Sequence, residues 1–113
     1  METTQKNSDA GYLAKVDLEN TTILNISTKA NNYRWWKIYF QDKVFLILSW
    51  QADLTTFNWE HDITRSYTRS DWLITIPAKI PNIFYFPENT EMIEWFPKNT
   101  ETKKYDRYRE LKK

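Results

Sequence analysis

Apolar and polar residues alternate along most of the chain, in short runs separated by turn-forming residues. The runs YLAKVDL, TTILNIS, YRWWKIYF, KVFLILSW, ADLTTFNW, ITRSYT, DWLITI, NIFYF and EMIEWF are rich in β-branched and aromatic side chains. Such residues suit a pleated, half-buried surface, so each run is predicted to be a strand. Many short strands with turns between them point to an all-β sandwich or barrel. In YRWWKIYF the even positions Arg34, Trp36, Ile38 and Phe40 are largely apolar, which predicts that they face the core while Tyr33, Trp35, Lys37 and Tyr39 lie nearer water. The run from Val44 to Leu48 is apolar at every position and asks for cover on both faces, from another segment or a second subunit.

The two ends break the pattern. Residues 1–11 are polar and aperiodic, which predicts a flexible N-terminal arm ahead of a single domain over 12–113. The last stretch, NTETKKYDRYRELKK, has an Asn99 or Thr100 N-cap candidate, Glu101 early and lysines late. This predicts a helix over about 100–112 with Tyr105, Tyr108 and Leu111 as its buried stripe.

Composition removes several classes of chemistry. The chain has 113 residues, no cysteine, one histidine (His61) and one glycine (Gly11). Disulfides, thiolate metal sites, cysteine nucleophiles and Gly-rich phosphate loops are therefore excluded, as is any site needing two imidazoles. Ser66 and Ser70 lack His and Asp partners for a hydrolase triad. Neither a secretory signal nor a membrane-length apolar run is present, so the expectation is a cytoplasmic protein without membrane contact. A net charge of +1 gives no general attraction for nucleic acid. The tail interleaves Lys, Arg and Tyr but also carries Asp106 and Glu110, which fits a solvated helix better than a base-stacking surface. Glu60, His61 and Asp62 are consecutive and cannot all share one face of a strand, so they read as a polar turn.

Three of the four prolines fall in TIPAKIPNIFYFPENTEM. Pro77 and Pro81 fix their own φ and push the preceding residues to extended geometry, giving a rigid turn over Ile76 to Pro81. The order Asp71-Trp72, an alternating strand, Ile-Pro-Ala-x-Ile-Pro-x and Ile-Phe-Tyr-Phe resembles the second conserved motif of the cupin superfamily. The resemblance runs back through KVFLILSW and forward into ENTEMIEWFP, covering about residues 33–97. It implies a cupin-type jelly-roll barrel with a short C-terminal helix and, since that superfamily commonly pairs through its sheets, a homodimer.

The departures from the family pattern bear on function. Trp36 and Ile38 stand where the family has two histidines, Lys43 where it has a glutamate, and Asn82 where it has the second motif's histidine. One amide oxygen does not assemble the three or four ligands a transition metal requires, so no metal and no other cofactor is expected. The family's inward register implies a lumen lined by Trp36, Ile38, Lys43, Phe45, Ile47, Asn82 and Phe84, and Glu94 is counted with the same pocket; Lys43 either keeps its ammonium in water at a strand start or pairs with a carboxylate such as Glu94 or Asp42. The reading is a metal-free cupin serving as a small-ligand-binding or accessory module, with a small organic ligand in the barrel or a protein partner and no assigned catalytic residue. The alternatives are a cupin-type isomerase or lyase on a small acid or sugar, with Lys43 and Glu94 as acid and base, and a metal enzyme drawing ligands from Glu60, His61, Asp62 or Glu94.

Overall fold

The alternating runs fold into two facing antiparallel sheets in a computed structural model that describes residues 2–110. Its strands are β1 (Glu2–Ser8), β2 (Gly11–Asp17), β3 (Thr21–Thr28), β4 (Asn32–Tyr39), β5 (Lys43–Ser49), β6 (Gln51–Phe57), β7 (Asp62–Thr68), β8 (Leu73–Ile76), β9 (Asn82–Phe86), β10 (Thr90–Pro97) and β11 (Thr102–Lys104). One sheet has the order β1-β2-β3-β10-β5-β8 and the other β11-β4-β9-β6-β7. Sequence neighbours β4 and β5, and likewise β8 and β9, lie in different sheets, which is the crossing expected of a jelly roll. The Pro77–Pro81 segment makes the crossing from β8 to β9. Asp42 accepts the Ala78 N–H at 2.8 Å there, and Lys79 takes the left-handed backbone (φ 68°).

The core is the inward period of each strand. Leu24 and Ile26 of β3, Phe45 and Ile47 of β5, Leu54 of β6, Phe84 and Phe86 of β9 and Met92 of β10 form one buried cluster. Phe45 meets Phe84 edge-on at 5.0 Å and Tyr67 at 5.6 Å, the offset geometry that aromatic quadrupoles favour.

Both ends differ from expectation. The arm expected over residues 1–11 forms β1, paired residue for residue with β2 from Glu2↔Asp17 to Ser8↔Gly11. A polar strand lacks the apolar alternation that would mark it, and the backbone ladder alone recruits it. Gly11 supplies the hairpin's φ of +132°, and a Cβ there would lie 2.0 Å from the Ser27 carbonyl oxygen. At the C-terminus, residues 102–104 add β11 to the edge of β4, and the helix shrinks to α1 (Asp106–Arg109). The edge strand's unpaired backbone groups outcompete local helix propensity. Tyr108 is buried as expected, while Leu111 and residue 112 lie outside the described residues.

The continuous apolar run of β5 is covered on one face only. Phe45 and Ile47 are buried inside, whereas Val44 and Leu46 are half-buried and Leu48 is 41% exposed. By register the outer face continues through Trp95 and Ile93 of β10 and Leu73 of β8.

Candidate functional site

The interior polar site depends on an irregularity in β4. Arg34 pairs with Phe84, but Lys37 pairs with Asn82, so β4 spends three steps where β9 spends two. This is a β-bulge, and Trp35 within it takes φ 58°. One extra residue reverses which side chains face inward. Beyond the bulge Lys37 shares a face with Asn82, and Thr102 and Lys104 of β11 fall on the same side as Tyr39 and Lys37. The expected inward register of Trp36 and Ile38 is thus corrected: Trp35, Lys37 and Tyr39 take those places. Ile38 is buried, but outside the cluster that fills the interior.

The bulge lets Trp35 donate its indole N–H to Glu94 Oε2 at 3.0 Å. The other carboxylate oxygen, Oε1, is 3.5 Å from the Lys43 ammonium and accepts no hydrogen bond. Lys43 Nζ also lies 3.5 Å from Asn82 Oδ1 and 4.1 Å from the centre of the Tyr39 ring. The Asn82 amide is oriented by its own donors, which reach the backbone carbonyls of Lys37 and Ile80 at 3.3 Å each, so its oxygen faces the ammonium. Lys43, Asn82 and Glu94 are all 0% exposed, so no solute reaches them in this conformation. Burial pulls the Lys43 ammonium below its ordinary pKa, and the Glu94 carboxylate opposes that shift. The Tyr39 hydroxyl is pushed up by burial and by the same carboxylate.

Six sequence-expected lining residues, Lys43, Phe45, Ile47, Asn82, Phe84 and Glu94, therefore meet inside the sandwich, but they pack the interior with no more than 1% exposure each. Open space lies beside them. A cleft of about 470 Å³ is bounded by β2, β3, β4, the end of β10 and β11, with Lys15, Trp35, Lys37, Tyr39, Phe96 and Lys98 among its walls. Lys37 is half-buried in it, and desolvation lowers its pKa, with Lys104 and Lys6 adding to the effect and Glu94 opposing it. Trp35 and Lys37 also line a neighbouring cleft of about 300 Å³ with Tyr33, Arg34 and Lys104. Sequence reasoning missed Lys37 and Trp35 because a bulge at a non-glycine residue leaves no mark in the hydrophobic alternation.

The remaining candidates are engaged elsewhere. Asn58 Oδ1 accepts the backbone N–H groups of Glu60 and His61 at 2.9 Å each, closing an exposed turn. Asp62 accepts two hydrogen bonds from Arg107 at 3.0 and 2.7 Å and one from the Tyr108 hydroxyl at 2.6 Å. Asp62 thereby clamps the C-terminal segment to β7. Among the described residues no group of three or more His, Cys, Asp or Glu side chains is placed to hold a metal ion. At the sandwich centre the donors are an ammonium, an amide and one carboxylate, and an ammonium repels a metal cation rather than ligating it. The set does not fit a transition metal.

No family model and no curated protein matches the chain by sequence. Solved structures do match by shape, at low identity. Bacillus subtilis oxalate decarboxylase, as a deletion mutant, superposes with a TM-score of 0.78 at 16% identity over 91% of this chain. A four-residue replacement mutant of the same enzyme gives 0.75 at 17% over 88%, and the enzyme at pH 4.6 gives 0.76 at 16% over 91%. The chain spans 30% of the length of each of these proteins. Two facing antiparallel sheets, the crossings between them and this superposition together identify the chain as one with the cupin jelly-roll fold.

Proposed function

We propose that the chain is a metal-free binding module of cupin fold that takes a small organic ligand at the mouth of the sandwich. One observation carries the reading: the polar centre of the fold holds the protein's own ammonium. Lys43 Nζ is contacted by Glu94 and Asn82 and roofed by Tyr39, so the groups that could coordinate an ion already neutralise a fixed internal cation. Among the structures matched by shape is oxalate decarboxylase with Mn(II) centres. The ammonium, amide and single carboxylate at this chain's centre do not suit such an ion, so no metal chemistry is proposed for it. The clefts against Trp35, where aromatic walls meet orienting polar groups, have the size and lining of small-molecule sites.

Acid–base catalysis by Lys43 and Glu94 on a small acid or sugar would need a substrate to reach two side chains with no exposed surface. Geometry therefore favours binding. The apolar outer face of Val44, Leu46, Leu48, Leu73, Ile93 and Trp95 supports a homodimer within the same reading. No helix of the described residues is long and apolar enough to cross a membrane. A cytoplasmic location is part of the proposal and rests on the sequence alone.

Native mass spectrometry of untagged protein purified without chelator tests these statements in one spectrum. The expected species is a dimer free of transition metal that carries an added organic mass. Stoichiometric bound metal would overturn the metal-free assignment, and a bare species would overturn ligand binding in favour of a protein-interaction role.

A further inference from the structure

The larger cleft has an unbalanced charge. It gathers Lys15 from β2, Lys37 from β4 and Lys98 from the turn after β10, with Asp17 as the carboxylate lining it. Asp17 is spent locally, accepting from the Thr22 hydroxyl at 2.6 Å and lying 3.7 Å from Lys15. Among the described residues Lys37 has no carboxylate within ion-pair distance, and its ammonium sits 5.7 Å from the Trp35 ring centre. Lys6 and Lys104 add further positive potential at Lys37, while Glu94 acts on it from within the interior. A half-buried cation without an ion-pair partner costs free energy in the unliganded protein, and an arriving anion removes that cost.

The other walls describe the rest of the ligand. Tyr39 and Phe96 stand against each other with centroids 5.3 Å apart, Trp35 lies beside them, and Leu24 closes the inner side. Trp35 is held by its hydrogen bond to Glu94, so the buried ion pair fixes an aromatic wall of the cleft. Thr102 stands at the exposed rim, while the Thr22 and Thr100 hydroxyls, which also line the space, donate to Asp17 and to the Pro97 carbonyl and face a ligand only as acceptors. At about 470 Å³ the space admits a molecule of one or two rings.

Building on the metal-free binding reading, we infer that this cleft binds a small organic dianion. Its anionic groups would face Lys37 and the Lys15/Lys98 side, and its apolar or aromatic body would lie against Trp35, Tyr39 and Phe96. An organic dicarboxylate and a phosphate ester of similar size share this chemistry. Inorganic phosphate does not, because it lacks the body.

The test is a titration of isotopically labelled full chain followed by two-dimensional NMR at low salt, with phthalate, benzyl alcohol and inorganic phosphate as separate probes. Phthalate is expected to shift the Trp35 indole and the backbone amides of Lys37, Thr22 and Thr100 saturably. Benzyl alcohol, lacking charge, and phosphate, lacking an apolar body, are each expected to bind roughly tenfold or more weakly. Lys37→Met should weaken phthalate roughly tenfold, since a hydrogen bond to a charged group is worth that much. Lys103→Met, on the opposite face of β11 from Lys104, should change it by no more than about twofold. If Lys37→Met loses the native spectrum, Lys98→Met in the exposed turn serves the same comparison.

Absence of saturable phthalate shifts, equal effects of the Lys37 and Lys103 variants, or phosphate binding as tightly as phthalate would each overturn the inference. Phthalate shifts centred on Leu54, Tyr67 and Ile74, which line a separate cleft at the β6–β7–β8 side, would overturn it while leaving the binding-module reading standing. Bound metal in the native spectrum would overturn that reading whatever phthalate does.

Discussion

Removing the ammonium at the centre of the sandwich gives the most direct check on the energetics. At 3.5 Å, and with the effective dielectric near 20 that describes protein sites, the Lys43–Glu94 attraction is about 5 kcal/mol. Lys43→Met keeps much of the side chain's volume but leaves the Glu94 carboxylate buried with one charge-assisted donor, the Trp35 indole N–H. The single variant should therefore lose about 3–4 kcal/mol, within the range found when one member of a buried pair is deleted. For a chain of 113 residues that corresponds to a midpoint lowered by about 12–16 °C, at about 4 °C per kcal/mol.

The double variant Lys43→Met/Glu94→Gln removes both charges and keeps an acceptor for Trp35. It should recover most of the loss, because desolvating the pair consumes much of what their attraction returns. Urea unfolding of wild type, both single variants and the double closes the thermodynamic cycle, with a coupling of about 2 kcal/mol or more expected. A Lys43→Met loss below about 1 kcal/mol, or a double variant as unstable as the two singles added together, would refute the claim that a buried charge pair organises the interior.

Other predictions concern the features that hold the site in place. Trp35→Phe keeps the ring but strands Glu94 Oε2 without its donor, and should cost about 1–3 kcal/mol in urea unfolding. Gly11→Ala places a methyl group against the Ser27 carbonyl at a φ of +132°, and should destabilise by about 2 kcal/mol or more with the damage centred on the β1–β2 hairpin in hydrogen exchange. The hydrogen bonds from Arg107 and then Tyr108 hold Asp62 below the ordinary carboxylate pKa of 3.8. Its stabilising contribution is therefore complete above pH 3.8 and disappears as pH falls through the lowered folded value. Asp62→Asn should remove that part of the acid slope in a series of unfolding midpoints between about pH 2 and 6, and an unchanged slope would discount the clamp.

The hydrophobic alternation, the proline turn and the missing histidines are local properties, so they were legible without coordinates. Each of the runs from YLAKVDL to EMIEWF is a strand, and Lys43, Asn82 and Glu94 do converge. Alternation alone could not locate the bulge at Trp35. Most other left-handed positions fall in turns, at Asn31, Trp50, Trp59, Trp72, Lys79 and Asn99, and with Gly11 as the one glycine the usual residue signal for them is absent. The polar strand β1 and the edge strand β11 were equally silent, since each is stabilised by a neighbour's unpaired backbone and not by its own side chains.

The sequence by itself determined an all-β chain, the rigid turn between two proline residues and which residues stand where the cupin pattern has its histidines and glutamate. Tertiary structure alone decided which side chains face the centre of the sandwich and which face the cleft. A one-residue bulge in β4 exchanges Trp36 and Ile38 for Trp35, Lys37 and Tyr39. Strand side chains repeat every two residues, so a single inserted residue inverts a whole face, and only the register against β9 reveals that it is there.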